Sequence, residues 1–276
     1  MKQRVITTVA LWGVVFLSLI LFGVYGGLAL ILVLAALAQR ETYGLLGRMG
    51  GEPCECGGLA AGCAFILLVA GFSLAGLGAP YAAALGIVLP GIVAWVIVRT
   101  PVQFLSRRLF PTLTGFLLVP GALAFLAMTA TLPGLPSAQG LFLAIWVVAV
   151  AKFSDVGALL VGSRIGRRPL ARGYSPKKTL EGAVGGVATS MLVAFVLPPL
   201  AGGLAPDGLG PFLALVLGAL LGLVAILSDL LGSALKRLAK VKDSGSRIPG
   251  IGGGLDLVDS LLLTGPLAYA VLALAL

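Results

Sequence analysis

Long apolar runs separated by short polar connections make up almost the whole chain. A helix that crosses the hydrocarbon core of a bilayer takes roughly 20 apolar residues, and several of these runs reach that length. Turn signals such as Gly26–Gly27 and Gly78–Pro80 divide the longer runs. The pattern therefore predicts nine transmembrane helices, near residues 5–22, 26–39, 58–76, 80–98, 113–131, 138–162, 181–204, 210–231 and 256–275.

Composition places the chain in the same class. Of its 276 residues, 59% are hydrophobic and only 11% are charged, unlike an ordinary soluble domain. The chain has 40 glycines, a high number that is typical of membrane helices packed closely through small residues. We therefore expect an all-α polytopic membrane protein that forms a single integral membrane domain over residues 1–276.

Several kinds of chemistry are excluded by what the sequence lacks. It has no histidine, which rules out Ser-His-Asp catalysis, histidine-bound zinc and imidazole acid–base catalysis. It has no GxxxxGK[ST] run, which argues against a P-loop NTPase. Cys54, Cys56 and Cys63 form neither a CxxC pair nor an even framework, which disfavours a disulfide or a metal role for them.

Basic residues are confined to alternate connections of the nine-helix pattern. Every Lys and Arg outside the helices lies on the N-terminal segment or on the second, fourth, sixth or eighth connection. Cytoplasmic loops carry the excess of Lys and Arg, so the N-terminus is predicted to be cytoplasmic and the C-terminus to lie outside. Orientation and an anionic membrane surface then explain the net charge of +9, and no nucleic-acid partner is expected.

Two charged residues interrupt the apolar run of the sixth predicted helix. Lys152 and Asp155 are spaced i, i+3, so they share one face of that helix. A charge at mid-helix costs about 2.5–3.5 kcal/mol on insertion scales, and is kept mostly where it faces a partner or a wet cavity. The sequence leaves two explanations open, a simple ion pair between the two residues or a functional site.

The densest polar stretch runs from Ser233 to Ser260. Cations come first, then a glycine run, and then Asp256 and Asp259. This order suits a polyphosphate with its metal ion, because cations supply charge, glycines allow close backbone approach and carboxylates bind a hard cation. The alternative is a positive cytoplasmic loop whose two aspartates open the next helix.

Three carboxylates are predicted to come together at this end of the molecule. Asp256 and Asp259 lie on one helix face, and Asp229 projects from the end of the eighth predicted helix. Together they predict a Mg²⁺ site with an oxygen shell shared with phosphate and water. The alternative for Asp256 is a helix-start aspartate that satisfies free N–H groups, which does not account for Asp229.

Two motifs resemble those of the phosphatidate cytidylyltransferases, the CDP-diacylglycerol synthases. The C-terminal motif of that family matches Ser233-x-x-Lys236-Arg237, Lys242-Asp243, Pro249-Gly250-x-Gly252-Gly253 and Asp256-x-x-Asp259 without a gap. The segment Ser175–Gly182 (SPKKTLEG) resembles the SPKKTxEG segment of the same enzymes, and Asp155 with Gly157 and Gly162 resembles a pattern upstream of it. The chain departs from the family pattern at Ile251, where His is usual, and at Leu257, where Arg is usual.

The resemblance implies transfer of cytidylyl from CTP to phosphatidate, giving CDP-diacylglycerol and pyrophosphate for phospholipid synthesis. It also implies Mg²⁺, either as two metal ions or as one metal ion with several cationic side chains. The nucleophile is a phosphate oxygen that is already ionised at pH 7, so no strong general base is needed. The acyl tails stay in the bilayer, which explains a membrane enzyme, and N-terminal helices at about 5–131 then precede a catalytic half at about 138–276.

The residues predicted to carry the reaction follow from these motifs. The catalytic set is Asp155, Lys178, Asp229, Asp256 and Asp259, of which the last three are the predicted metal ligands. The predicted CTP-binding set is Ser175, Lys177, Glu181, Lys236, Arg237, Lys242, Asp243, Gly250, Gly252 and Gly253.

Location and alternatives complete the prediction. The active face is expected on the cytoplasmic side of a prokaryotic inner or plasma membrane, and a homodimer is left open. One alternative is a CTP-dependent transferase acting on another lipid phosphate, such as an isoprenoid one. Another is a non-catalytic homologue or a transporter, although a transporter is expected to place its charges near the bilayer midplane on broken helices.

Overall fold

The computed structural model describes residues 2–171, 173, 175–245 and 252–276, with side chains for all of these except 2–12 and 176. Ten helices and one hairpin of two antiparallel strands make up this part of the chain. In chain order they are α1 (Lys2–Arg48), α2 (Glu55–Leu74), α3 (Pro80–Arg99), α4 (Leu105–Leu118), α5 (Pro120–Ala130), α6 (Ser137–Ile165), β1 (Pro169–Ala171), β2 (Ser175–Thr179), α7 (Leu180–Ala201), α8 (Pro211–Leu238), α9 (Gly254–Val258) and α10 (Leu261–Ala275).

Eight helical segments within the described residues are long and apolar enough to cross a membrane. α4 with α5 and α9 with α10 each count as one segment. α7 counts together with the short 3-10 helix Gly202–Leu204, and α1 counts over Gly13–Arg48. The expected class, an all-α polytopic membrane protein, is confirmed. The number of membrane crossings and the orientation of the N-terminus stay predictions.

α1 covers the first two predicted helices and is sharply broken at Gly23. Gly23 has φ 54° and ψ −128°, a backbone conformation that glycine adopts more readily than any other residue. The Ser18 hydroxyl donates to the Gly26 carbonyl oxygen at 3.4 Å. Residues eight apart in a straight helix lie about 12 Å apart, so the chain folds back on itself at Gly23. The predicted reversal is therefore present, slightly earlier than the predicted Gly26–Gly27 turn.

The fourth connection, predicted as a loop over 99–111, is mostly helical. α4 begins at Leu105, so Arg107 and Arg108 lie in its first turn. Pro111 has no N–H to donate to the Arg107 carbonyl oxygen, which accepts instead from the backbone N–H of Glu52 at 2.8 Å. A hydrogen bond to another segment thus replaces the one that the proline removes.

The core between the membrane-spanning segments is closely packed. Trp146 of α6 is fully buried, and its indole N–H donates to the Ala194 carbonyl oxygen of α7 at 3.1 Å. A side chain at Gly157 would overlap Thr189 on α7. This is the packing through small residues that the glycine content predicts.

The connections that carry basic residues lie on one face of the molecule. Arg108 of the fourth connection lies 3.5 Å from Glu52 of the second, measured from Nε to Oε2. Glu41, at the second connection, accepts from Gly254 at the eighth. α8 continues to Leu238, seven residues beyond the predicted end of the eighth helix, so Asp229 lies inside α8 and not at its end. Lys178 of the sixth connection pairs with Asp229. The second, fourth and eighth connections are thus in contact, and the sixth lies against α8.

Odd-numbered connections meet at the opposite end of the helices. Ser73, at the third connection, donates to the Thr131 carbonyl oxygen at the fifth, at 2.9 Å. Gln139, also at the fifth, donates to the Gly203 carbonyl oxygen at the seventh, at 3.3 Å. The basic connections thus lie at one end of the helices and the non-basic connections at the other, as the charge pattern predicts. Which end faces the cytoplasm stays a prediction.

We predict that Asp207 and Lys242 lie on opposite sides of the membrane. With Cys54, Cys56 and Cys63 replaced by serine, single cysteines at the two positions should react with a membrane-impermeant maleimide from opposite sides of sealed vesicles. The cysteine at Lys242 should react only from the cytoplasmic side, because cytoplasmic loops carry the basic residues. Labelling of both positions from one side would contradict the topology.

Candidate active site

Two lysines join three aspartates into one chain of ion pairs. Lys152 Nζ lies 3.9 Å from Asp155 Oδ2 and 4.0 Å from Asp259 Oδ1. Lys236 Nζ lies 3.8 Å from the other Asp259 carboxylate oxygen and 2.5 Å from Asp256 Oδ1. Lys178 and Asp229 form a further pair beside it. We call the set Lys152, Asp155, Lys178, Asp229, Lys236, Asp256 and Asp259 the carboxylate–lysine cluster.

α8 brings the parts of the cluster together. Asp229, Gly232 and Lys236 are spaced three and four residues apart, so they lie on one face of the helix. A side chain at Gly232 would place its Cβ 2.9 Å from Asp259 Cβ, so only glycine allows this close approach. Ser228, one residue before Asp229, donates to the Asp259 carbonyl oxygen and accepts from the Leu263 N–H at 3.1 Å. The two hydrogen bonds of Ser228 hold the junction of α9 and α10 against α8.

Asp259 is the most enclosed carboxylate of the cluster. The residue is 6% exposed, and one of its oxygens also accepts from the Ser260 N–H at 2.8 Å. A carboxylate buried without a partner costs several kcal/mol, and Lys152 and Lys236 offset this cost. Asp256 and Asp259 both face Lys236, which confirms that the two lie on one face as their spacing predicts. The ion pair of Lys152 with Asp155 is also present, and Lys152 extends it to Asp259.

The SPKKT segment forms strand β2, which the sequence did not predict. Thr179 accepts from the Gly182 N–H at 3.1 Å and so caps α7. Glu181 accepts from the backbone N–H groups of Arg167 and Arg168 at 3.0 and 3.2 Å, which ties α7 to the start of the hairpin. Of the two lysines in β2, Lys178 reaches the cluster and Lys177 is exposed.

Carboxylates of the chain accept from two backbone N–H groups of the glycine run and from the one that follows it. The Gly253 N–H donates to Asp256 Oδ2 at 3.0 Å. The N–H groups of Gly254 and Leu255 donate to the two carboxylate oxygens of Glu41, each at 2.9 Å. At Gly252 the backbone has φ 116°, which requires glycine. The predicted contacts with Gly250 and the departure at Ile251 lie outside the described residues.

Glu41 is a site residue that the sequence reasoning missed. The predicted helix bounds put it in the connection between the second and third helices, whereas in the structure it lies near the end of α1 and is only 7% exposed. Gln39, Thr42 and Tyr43 beside it are also buried. The available signal was the run of polar residues that directly follows the second apolar stretch. Buried polar side chains need hydrogen-bond partners, so such a run can mark a contact with another segment of the chain.

The remaining predicted binding residues lie at the edge of the site. Arg237, Lys242 and Asp243 are exposed, and Ser175 is half-buried at the start of β2. Lys242 and Asp243 line an open cleft of about 650 Å³ that reaches Arg40 and Arg48 of α1. The other departure from the family pattern, Leu257, packs against the hydrophobic core.

The metal-ion prediction stays a prediction. Among the residues that the structure describes, no three acidic side chains are grouped as ligands of one ion. Asp229, Asp256 and Asp259 are each paired with a lysine instead. Their oxygens are the donors that Mg²⁺ prefers, and they come from α8 and from the region of α9. Cys54, Cys56 and Cys63 are free cysteines in the structure.

Curated proteins similar to this chain match through part of their length. The chain is 41% identical over 137 residues to the phosphatidate cytidylyltransferase of Synechocystis sp., covering 50% of this chain and 45% of that protein. It is 34% identical over 198 residues to the phosphatidate cytidylyltransferase of Brucella suis, covering 64% and 70%. It is 37% identical over 155 residues to the uncharacterized protein YnbB of Escherichia coli, covering 56% and 50%. For most of these relatives, the matched stretch spans about half of the relative's length.

The family comparison extends across the chain. The sequence profile of the Cytidylyltransferase family matches residues 2–275, from the start of α1 to the end of α10. The segments that supply the carboxylate–lysine cluster, α6, β2, α8 and α9, all lie within this range. The resemblance drawn from the two motifs is thereby confirmed, and the chain belongs to the Cytidylyltransferase family.

Proposed function

We propose that this protein transfers cytidylyl from CTP to phosphatidate, giving CDP-diacylglycerol and pyrophosphate. The observation that carries the proposal is the carboxylate–lysine cluster, built by the segments that hold the two motifs. Further support comes from the names of the relatives and from the family profile across the chain. The class of reaction is nucleotidyl transfer to a lipid phosphate.

Both reactants are anions, so the site has to neutralise charge before they meet. A phosphatidate oxygen attacks the α-phosphorus of CTP, a new P–O bond forms, and the bond to pyrophosphate breaks. The attacking oxygen is ionised at pH 7, which agrees with a chain that has no histidine. Orientation of the two phosphates and charge neutralisation supply most of the catalysis in such transfers.

The lysines of the cluster have a double role in this proposal. Without substrate, Lys178 and Lys236 neutralise Asp229 and Asp256. With substrate, these ammonium groups would face the phosphates instead, and Asp229, Asp256 and Asp259 would be the residues that hold Mg²⁺. The metal ion, when bound, supplies positive charge to the triphosphate. Lys152 stays with Asp155 and Asp259 and limits the negative charge of the cluster.

The membrane position follows from the same arrangement. The cluster lies at the end of the helices where the basic connections meet, which we assign to the cytoplasmic face, where CTP is available. The acyl chains of phosphatidate remain among lipids along the apolar helices. The exposed Arg237, Lys242 and Asp243 are then placed to meet the water-soluble nucleotide.

The direct test is product formation by the purified protein. Labelled CTP with phosphatidate and Mg²⁺ in detergent micelles should give CDP-diacylglycerol and pyrophosphate in equal amounts, and EDTA should stop the reaction. Product with an isoprenoid phosphate and none with phosphatidate would assign a different lipid. No CDP-lipid with either would refute the transferase and favour a non-catalytic homologue.

A further inference from the structure

Glu41 is a buried carboxylate on α1, and its hydrogen-bond partners among the described residues belong to the segment that carries the catalytic motif. Its oxygens accept from the Gly254 and Leu255 N–H groups, each at 2.9 Å, and from the Ser244 hydroxyl at 2.8 Å. It is 7% exposed, so these hydrogen bonds replace water almost completely. Hydrogen bonds to a charged group are about twice as strong as neutral ones, so Glu41 is a strong anchor for this segment.

Ser244 connects Glu41 to Asp256. Its hydroxyl lies 2.8 Å from Glu41 Oε2 and 3.0 Å from Asp256 Oδ2, and its backbone N–H lies 3.4 Å from the same Asp256 oxygen. Since a hydroxyl has one proton, it donates to one carboxylate at a time. The other Asp256 oxygen faces Lys236. Asp256 is therefore held on one side by Lys236 and on the other by the segment that Glu41 anchors.

The segment packs closely around Glu41. A side chain at Gly253 would overlap both Ser244 Oγ and Glu41 Oε2. A Cβ at Gly245 would lie 2.6 Å from Glu41 Oε1, and one at Gly254 would lie 2.8 Å from Leu37 Cβ on α1. The glycines of this segment are thus needed for its close approach to α1.

We infer that Glu41 is a positioning residue for Asp256. It fixes the first turn of α9 and, through Ser244, the direction in which Asp256 points, without touching a reactant itself. This inference rests on the proposed function, because it assigns Asp256 as a ligand of the divalent cation. It links the N-terminal half of the chain to the chemistry of the C-terminal half.

The test compares Glu41→Gln with Glu52→Gln, the same change in an exposed glutamate on the same face. Gln keeps the shape of Glu41 and replaces one acceptor oxygen by an NH₂ group, which has nothing to offer an N–H donor. The affinity for Mn²⁺ in the presence of CTP, measured by electron paramagnetic resonance, should fall about 10- to 100-fold in Glu41→Gln. Losses of this size are typical when a residue that orients a metal ligand is replaced. The kcat for CDP-lipid should fall by a similar factor, while the KM for the lipid stays constant. Glu52→Gln should change none of these quantities.

Two further measurements separate positioning from plain structural support. Hydrogen exchange of the peptide that covers residues 252–258 should become at least about 10-fold faster in Glu41→Gln. Gly253→Ala should reproduce the weaker Mn²⁺ binding with Glu41 in place, because it pushes Glu41 and Ser244 apart. Glu41→Asp, which keeps the charge, should recover part of the affinity.

The outcomes divide clearly between the two proposals. Faster exchange with unchanged Mn²⁺ affinity and kcat in Glu41→Gln would make Glu41 a structural residue only and overturn the inference. A wild type that binds Mn²⁺ and makes no CDP-lipid would refute the proposed function, and the Mn²⁺ titration would still decide the role of Glu41. A wild type that binds no Mn²⁺ with CTP would overturn the inference as well.

Discussion

Asp259→Asn is expected to lower CDP-lipid formation by at least about 100-fold and to leave the protein folded. Asparagine keeps the shape of the side chain and one carbonyl oxygen, so the Ser260 N–H keeps an acceptor. It removes the charge that faces Lys152 and Lys236 and that the proposal gives to Mg²⁺. Loss of a charged ligand reduces metal affinity far more than it disturbs packing, since each lysine keeps a second aspartate. Initial rates over a Mg²⁺ titration measure the effect.

Asp229→Asn and Asp256→Asn should give losses of the same order. The matched control is Asp207→Asn, the same change in the connection between α7 and α8 at the opposite end of the helices. Elution from a sizing column should be identical for all four variants. Near wild-type rates for Asp259→Asn at low Mg²⁺ would remove Asp259 from the proposed ligand set.

Lys236→Met is expected to destabilise the protein more than any other single change in the cluster. Lys236 is 8% exposed and stands between Asp256 and Asp259, at 2.5 and 3.8 Å. Methionine fills similar space but leaves Asp256 without its lysine and Asp259 with Lys152 alone. Removing one partner of a buried ion pair costs about 3–5 kcal/mol of unfolding free energy. Denaturant titration in mixed micelles, followed by tryptophan fluorescence, measures the change, and activity should be lost with it.

A second substitution separates charge from packing at this position. Lys236→Met combined with Asp256→Asn removes one charge of each sign, and should recover much of the stability but none of the activity. Lys240→Met, the same change in an exposed lysine just after α8, should leave stability within about 0.5 kcal/mol of wild type. If Lys236→Met were as stable as Lys240→Met, Lys236 would not be the cation that holds the two carboxylates.

Local patterns in the sequence were sufficient for the helices and for most of the cluster. Apolar runs locate membrane helices because the bilayer requires each backbone polar group to be paired within its own segment. The i, i+3 spacings of Lys152 with Asp155 and of Asp256 with Asp259 correctly place each pair on one helix face. The alternation of basic connections likewise predicts which connections meet at one end of the molecule.

The features that were missed depend on partners far away in the chain. Glu41 and Gly254 are separated by 213 positions, and no spacing rule relates them. Besides its own strand pairing, the β hairpin is held by the ion pair of Lys178 with Asp229 and by the Glu181 carboxylate, which accepts from the Arg167 N–H. None of these contacts leaves a periodic pattern in the sequence. For the same reason the glycine run suggested free N–H groups for phosphate, whereas two carboxylates of the chain accept from them.

The bond between α1 and the catalytic segment also determines when the site is completed as the protein is made. Glu41 leaves the ribosome 213 residues before Gly254, which at about 5–20 residues per second is a delay of roughly ten to forty seconds. For most of that time the Glu41 carboxylate has none of its final hydrogen-bond partners, because Ser244, the first of them, is made only ten residues before Gly254. The position of Asp256 can therefore be fixed only after almost the whole chain has been made, because the Gly254 and Leu255 N–H groups that Glu41 holds are among the last to be added.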